Sequence, residues 1–158
     1  LKYSSNFFVK RPPMMKNNQI TVSGAIVFKE YRSKKLFMVV KQSQEGKWEI
    51  PKITVRRGES SVRASLRMIG EMAGMNARVL EEAGRTTAVA TINGKSVPQK
   101  NYYYLLIHKA GGEILGFQDF VWLEYGKASK KLELKREKDM LRGAKDVLKK
   151  WEKEGKKR

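Results

Sequence analysis

The chain has 158 residues, no cysteine and one histidine, and its thirty-four Lys and Arg face sixteen Asp and Glu for a net charge of +18. Disulfides, thiolate nucleophiles and zinc sites built on Cys or several His are thereby excluded. The charge exceeds the about 2–8 of a small soluble domain, which points to a polyanionic partner such as nucleic acid, polyphosphate or an anionic membrane, the plain alternative being a solubilising surface.

The length fits one domain able to bury about 68–70% of its unfolded surface. Residues 1–18 read as a basic arm, with Pro12-Pro13 interrupting any helix. They contain no apolar signal-peptide core, and no run in the chain approaches the roughly 18–20 apolar residues of a membrane span. A membrane partner is therefore not expected. The cytoplasm is the expected location; the absence of any acid before Glu30, shared with organellar transit sequences, leaves an organelle open.

The domain is expected over residues 19–152. "ITVSGAIVFKE" and "KKLFMVVKQS", joined by "YRSKK", have the β-rich pattern of a hairpin. "GKW" turns into a short strand ending at Pro51. Residues 60–73 are predicted as a helix, with Val62, Leu66, Ile69 and Ala73 on its core stripe and Gly74 as its stop. Strand material around a turn is expected over 77–92, a polar loop with an Asn-Gly turn over "NGKSVPQKN", a strong strand over 102–110, and a last strand over 120–125.

A final helix is predicted from Leu134 to Glu152, turning Met140, Leu141, Ala144, Val147, Leu148 and Trp151 inward. The tail 153–158 is basic and expected to fray. Residues 126–158 hold fourteen basic and six acidic side chains, much of the excess charge. The element order implies an α/β (α+β) architecture, a mixed β-sheet sandwiched between α-helices.

The chemistry is concentrated in "PKITVRRGESSVRASLRMIGEMAGM", residues 51–75. Glu59, Arg67, Ile69, Glu71 and Gly74 are spaced as in the box of the Nudix hydrolase superfamily, G-x5-E-x7-R-E-U-x-E-E-x-G-U. The preceding "PKITVRRGE" is similar to the loop of the dinucleoside tetraphosphate hydrolase branch. The resemblance covers roughly residues 19–152 and implies the Nudix fold. It also implies that Glu59 and Arg67 brace the loop to the helix, with Gly58 and Gly74 serving backbone geometry.

Ile53 stands where the pattern has its first Gly, and Met68 and Met72 stand where it has Glu. In the family those carboxylates hold Mg²⁺ or Mn²⁺ on a diphosphate. Residues 68, 71 and 72 share one helix face, and a thioether is a poor ligand for Mg²⁺. Glu71 is the one catalytic or metal-binding carboxylate left, so no cofactor is expected unless hydrolase activity persists.

Lys52, Arg56, Arg57 and Arg63 are candidates for phosphate or nucleic-acid binding, or simply a solvated basic loop. Met68, Met72 and Met75 could form a docking patch or widen the core. Tyr102 and Tyr104 could stack a base or pack inward, and His108 on their face reads as structural. Glu81, Glu82, Asp119 and Glu124 could supply a substitute base, though their spacing favours none.

Three functions follow. The first is a Nudix-fold protein with impaired catalysis that binds RNA or a ribonucleoprotein, a role found among Nudix-like folds in RNA-processing complexes and the mitochondrial large ribosomal subunit. The second is a divergent metal-dependent hydrolase of nucleoside diphosphate derivatives or dinucleoside polyphosphates, with a nucleotide ligand. The third is a protein-docking module. Oligomeric state is not legible.

Overall fold

The structure is a computed structural model that describes residues 19–155. The basic arm, residues 1–18, and the end of the tail, 156–158, lie outside the described residues.

β1 (Ile20–Tyr31) and β2 (Lys34–Lys41) form the expected hairpin. Arg32 and Ser33 both take positive φ at its two-residue turn, the geometry that matches strand twist. The short strand expected to end at Pro51 is displaced. Only an isolated bridge, Val40 to Glu49, precedes the proline, and β3 (Lys52–Thr54) begins after it, antiparallel to β1.

Helix α1 (Ser61–Ala73) starts where Ser60 Oγ accepts the N–H of Arg63, and it stops at Gly74, whose φ of 58° closes the last turn through its N–H to Ile69. Its buried side chains are Ala64, Ser65, Met68, Ile69 and Ala73. The expected stripe is thus rotated: Leu66 is 37% exposed while Met68 is wholly buried. Burial of Ser65 at the centre of the contact face explains the difference, because its hydroxyl donates to Val62 O and a small residue lets the helix approach the sheet.

β4 (Met75–Ile92) and β5 (Lys95–Gly111) make one long hairpin across Asn93-Gly94. No turn interrupts 77–92; the irregularities there are β-bulges near Ala77, Leu80 and Ala83. The expected polar loop is strand from Lys95 onward. Val97, Gln99 and Asn101 point inward at alternate positions, a period of two that polar side chains disguise. Gln99 donates to Asn101 Oδ1, and Asn101 donates to Thr86 Oγ1, so the buried amides are partnered.

β6 (Asp119–Leu123) is followed by α2 (Tyr125–Lys131), a helix absent from the sequence reading, and α3 (Lys135–Gly155). The residues 153–155 expected to fray are the end of α3. The sheet order is β4-β5-β1-β2-β6, with β3 also on β1; the β1–β5 pair is parallel and the others are antiparallel.

One face packs against α1 through Ala25, Val27, Met38, Val40, Tyr104 and Leu106. The other packs against α2 and α3 through Ile26, Phe28, Val39, Tyr103 and Leu105. This is the expected helix–sheet–helix sandwich. Trp151, expected inward, is 37% exposed, with the Arg78 guanidinium 5.7 Å from its ring. No helix among the described residues is long and apolar enough to cross a membrane.

The rotation of α1 gives a direct comparison. Met68→Ala is expected to cost about 2–5 kcal/mol as a core truncation, whereas Leu66→Ala should stay within about 0.5 kcal/mol. Urea unfolding of the two variants checks it; equal losses would contradict the packing described.

Candidate functional site

The loop between β3 and α1 is held by one carboxylate. Glu59 Oε1 accepts the backbone N–H of Arg56 at 3.0 Å, and the Glu59 N–H donates to Arg56 O. Arg67, two turns into α1, donates through Nε to Glu59 Oε2 at 2.7 Å and through Nη2 to Glu59 Oε1 and Thr54 O. The bidentate pair ties the loop to the helix. Burial alone would raise the Glu59 carboxyl, but the Arg67 hydrogen bond and the Arg56 N–H hold it below its usual value. Gly58, at φ 75°, supplies the turn that a side chain would strain.

Lys52 is not part of an open phosphate loop. It is buried, and its ammonium donates to Ile50 O at 2.9 Å, pairs with Glu49 at 2.6 Å and meets Glu137 at 2.5 Å. Three N–H donors meet three acceptors, leaving none for a ligand. Its assignment to phosphate binding is therefore corrected.

Glu137, fully buried on α3, also accepts the Ile50 N–H and the Tyr103 hydroxyl. Burial opposes the charge on Lys52, yet the carboxylates of Glu137 and Glu49 outweigh it and raise its pKa. Burial and then the Glu137 charge raise Tyr103 as well. Glu49 is pushed up by burial, and Lys52 offsets part of the shift.

The network is possible because Gly24 lies in the row between Lys52 on β3 and Tyr103 on β5. A Cβ there would stand 2.7 Å from the Tyr103 ring and 3.3 Å from the Lys52 stem. Both side chains converge over the missing atom. Nothing in the local sequence marks Glu137, since 85 positions separate it from Lys52.

Arg56, Arg57 and Arg63 are exposed around an open cleft of about 520 Å³, completed by Gly58, Glu59, Leu66 and Arg67. None of the three forms an ion pair with a described residue. A second concavity of about 320 Å³ lies on the β4–β5 hairpin, lined by Arg85, Thr86, Thr87, Lys100 and Tyr102. Arg85 sits 4.8 Å from the Tyr102 ring, a cation–π distance. The sequence reading identified Tyr102 but missed Arg85 and Lys100, which only strand pairing brings opposite it and Thr87. Tyr104, on the same face, bonds Ser61 Oγ at the start of α1.

The positions that would carry metal carboxylates do not assemble a site. Met68 is in the core, Met72 is half-buried beneath Gly116, and Glu71 is exposed with Arg67 3.6 Å away. Among the described residues no group of three or more His, Asp or Glu could hold a metal ion. Mg²⁺ requires near-octahedral oxygen ligands, and these residues do not fit it.

The substitute bases are scattered. Glu82 pairs with Arg85, Asp119 accepts the Phe120 N–H, Glu124 lies 3.9 Å from Lys34, and Glu81 is exposed. His108 bonds Gly111 O and meets the Trp122 edge, in keeping with a structural role. Met68 and Met75 are core residues and Met72 is partly buried against them, so these three do not form an exposed patch.

No protein-family model matches the chain, and no curated protein matches it by sequence. Solved structures do. A Caenorhabditis elegans Ap4A hydrolase binary complex shares 21% identity over 82% of this chain and 97% of that one, with a TM-score of 0.68. The Nudix domain of Shewanella oneidensis NrtR complexed with ADP ribose gives 14%, 82%, 88% and 0.65, and a MutT protein from Methanosarcina mazei Go1 gives 17%, 86%, 99% and 0.64. The chain has the Nudix fold.

The buried network fixes an alkaline limit. Lys52 and Tyr103 hold their protons more tightly folded than unfolded, so their contribution is intact below about pH 10 and is lost as pH rises through the raised values. Stability should fall above about pH 10, and less steeply in Tyr103→Phe. At neutral pH, Glu137→Ala should cost about 3–5 kcal/mol by stranding Lys52. Denaturant titrations at several pH values read both; a flat alkaline limb would contradict the network.

Proposed function

We propose that this protein binds RNA, alone or within a ribonucleoprotein, on a Nudix scaffold that no longer performs efficient metal-dependent hydrolysis. The observation that carries the reading is the exchange of chemistry at α1. Two of three metal positions are thioethers, one of them in the core, while the adjoining cleft presents Arg56, Arg57 and Arg63. Guanidinium groups recognise phosphate in bidentate geometry and need no metal. Arg85 lies over the Tyr102 ring with Lys100 nearby, so a base can stack on the guanidinium plane that the ring backs, or on the ring once the guanidinium moves aside. The net charge of +18 supports a polyanion over a single small anion.

A second reading is a divergent pyrophosphohydrolase, and what favours it is the company the fold keeps. The similar structures include an Ap4A hydrolase and a dihydroneopterin triphosphate pyrophosphohydrolase. Glu71 would then be the only box carboxylate available to a metal. A protein-docking role has less to support it, because Met68 and Met75 are buried and Met72 packs against the same core.

Single-stranded RNA titrations should separate phosphate contacts from stacking. With about four phosphates engaged, affinity should fall about fifty-fold between about 50 and 200 mM salt. Replacing Arg56, Arg57 and Arg63 together by Ala should weaken binding and reduce the salt slope by about 2. Tyr102→Ala should cost about 1–3 kcal/mol and leave the slope unchanged. Weak, salt-independent binding would overturn the proposal.

A further inference from the structure

The long hairpin leaves one side of β4 without a strand partner. β4 is an edge of the sheet, and from Gly84 to Ile92 it pairs with β5 in unbroken register. Its segment Thr86–Ile92, "TTAVATI", contains no charge in a chain that is 32% charged, and Val89 is 73% exposed. Edge strands of natural proteins are usually blunted by Lys, Pro, a bulge or an inward charge. This stretch has none of these, since the bulges all lie before Gly84.

The turn determines which groups are free. Asn93 and Gly94 both have positive φ, so the hairpin closes on a two-residue turn flanked by the hydrogen-bonded pair Ile92 and Lys95. Hydrogen-bonding direction alternates along a strand. Thr86, Ala88, Ala90 and Ile92 therefore aim their N–H and C=O groups at β5, and Thr87, Val89 and Thr91 aim theirs outward. Among the described residues no backbone hydrogen bond reaches these outward groups from another element.

We propose that this edge pairs antiparallel with the same edge of a second copy of the chain, centred on Val89, to form a twofold homodimer with a continuous sheet. The segment is self-complementary under that operation. Val89 faces Val89, Thr87 faces Thr91, Ala88 faces Ala90 and Thr86 faces Ile92, so no like charges oppose each other within the run. The outward groups of Thr87, Val89 and Thr91 supply about six ladder hydrogen bonds over roughly 24 Å. A second copy is the occupant because the run from Ala88 to Ile92, beyond the concavity at Thr86 and Thr87, carries no cation to hold a nucleic acid or an acidic peptide, and because an isologous contact matches a patch to itself.

Two chains of +18 repel each other over distance. Salt that screens this repulsion must therefore strengthen the pairing, the opposite of its effect on RNA binding. That sign separates the dimer from the RNA reading, so either can fail alone.

Sedimentation velocity of the full chain, at about 10–300 µM and at about 0.1 and 0.5 M salt, is the test. A reversible dimer is expected, more populated at the higher salt. Val89→Lys sets two ammonium groups on the twofold axis and should give a monomer at every concentration. At a concentration dilute enough that the parent is monomeric as well, its melting curve should match the parent, because residue 89 is exposed. Hydrogen exchange at Thr87, Val89 and Thr91 should be slower in the parent at high concentration than in the variant. A parent that stays monomeric, a dimer that survives Val89→Lys, or association that weakens with salt would each overturn the proposal. Protection of those amides in a monomer would mean that the chain closes its own edge, and would overturn it as well.

Discussion

A single buried ammonium organises the molecule. Lys52 ends its chain between Glu49, Glu137 and the Ile50 carbonyl, and taking such a charge out of water is costly unless every donor is met. Here every donor is met. The two carboxylates and the tyrosine hydroxyl that share the network come from the β2–β3 connection, α3 and β5. Three segments distant in sequence, residues 49–52, Tyr103 and Glu137, are thereby required to be in place together. Gly24 is the geometric condition for this, since a larger residue would fill the space over which Lys52 and Tyr103 converge.

The network orients β3, and β3 delivers the loop that Glu59 and Arg67 then fasten to α1. Two ion pairs in series therefore set the position of the helix. The side chains left facing solvent at the helix start are arginines, while the helix turns methionines toward the sheet. The start of the helix thus presents positive charge, and the box positions 68 and 72 present thioethers in place of carboxylates. The same lack of acids that weakens a metal site strengthens the field on a phosphate.

Much of the fold was legible because it follows from local pattern. The first hairpin, α1, the Tyr-rich part of β5 and the body of α3 all carry strong periodicity, and the box spacing identified the fold through Glu59, Arg67 and Gly74. What escaped was governed by contacts distant in sequence. Val97, Gln99 and Asn101 are inward strand residues with polar or small-loop character, and their partners lie on β4 and β1. The inward face of α1 was misplaced because Leu66 outranks Ser65 in hydropathy although Ser65 is the buried one. α2 has only Ala128 buried and little apolar pattern to betray it. Lys52 was read as a loop cation because its counter-charge Glu137 is 85 residues away, one acid among six in a lysine-rich helix and tail.

The central proposal is that the Nudix fold here works without efficient metal-dependent hydrolysis. Phosphate release from a panel of dinucleoside polyphosphates and nucleoside diphosphate derivatives, in Mg²⁺ or Mn²⁺ and beside a Glu71→Gln control, tests it most directly. The account predicts no turnover above that of the control on any substrate. Metal-dependent turnover that Glu71→Gln abolishes would show that one carboxylate suffices, and would contradict it.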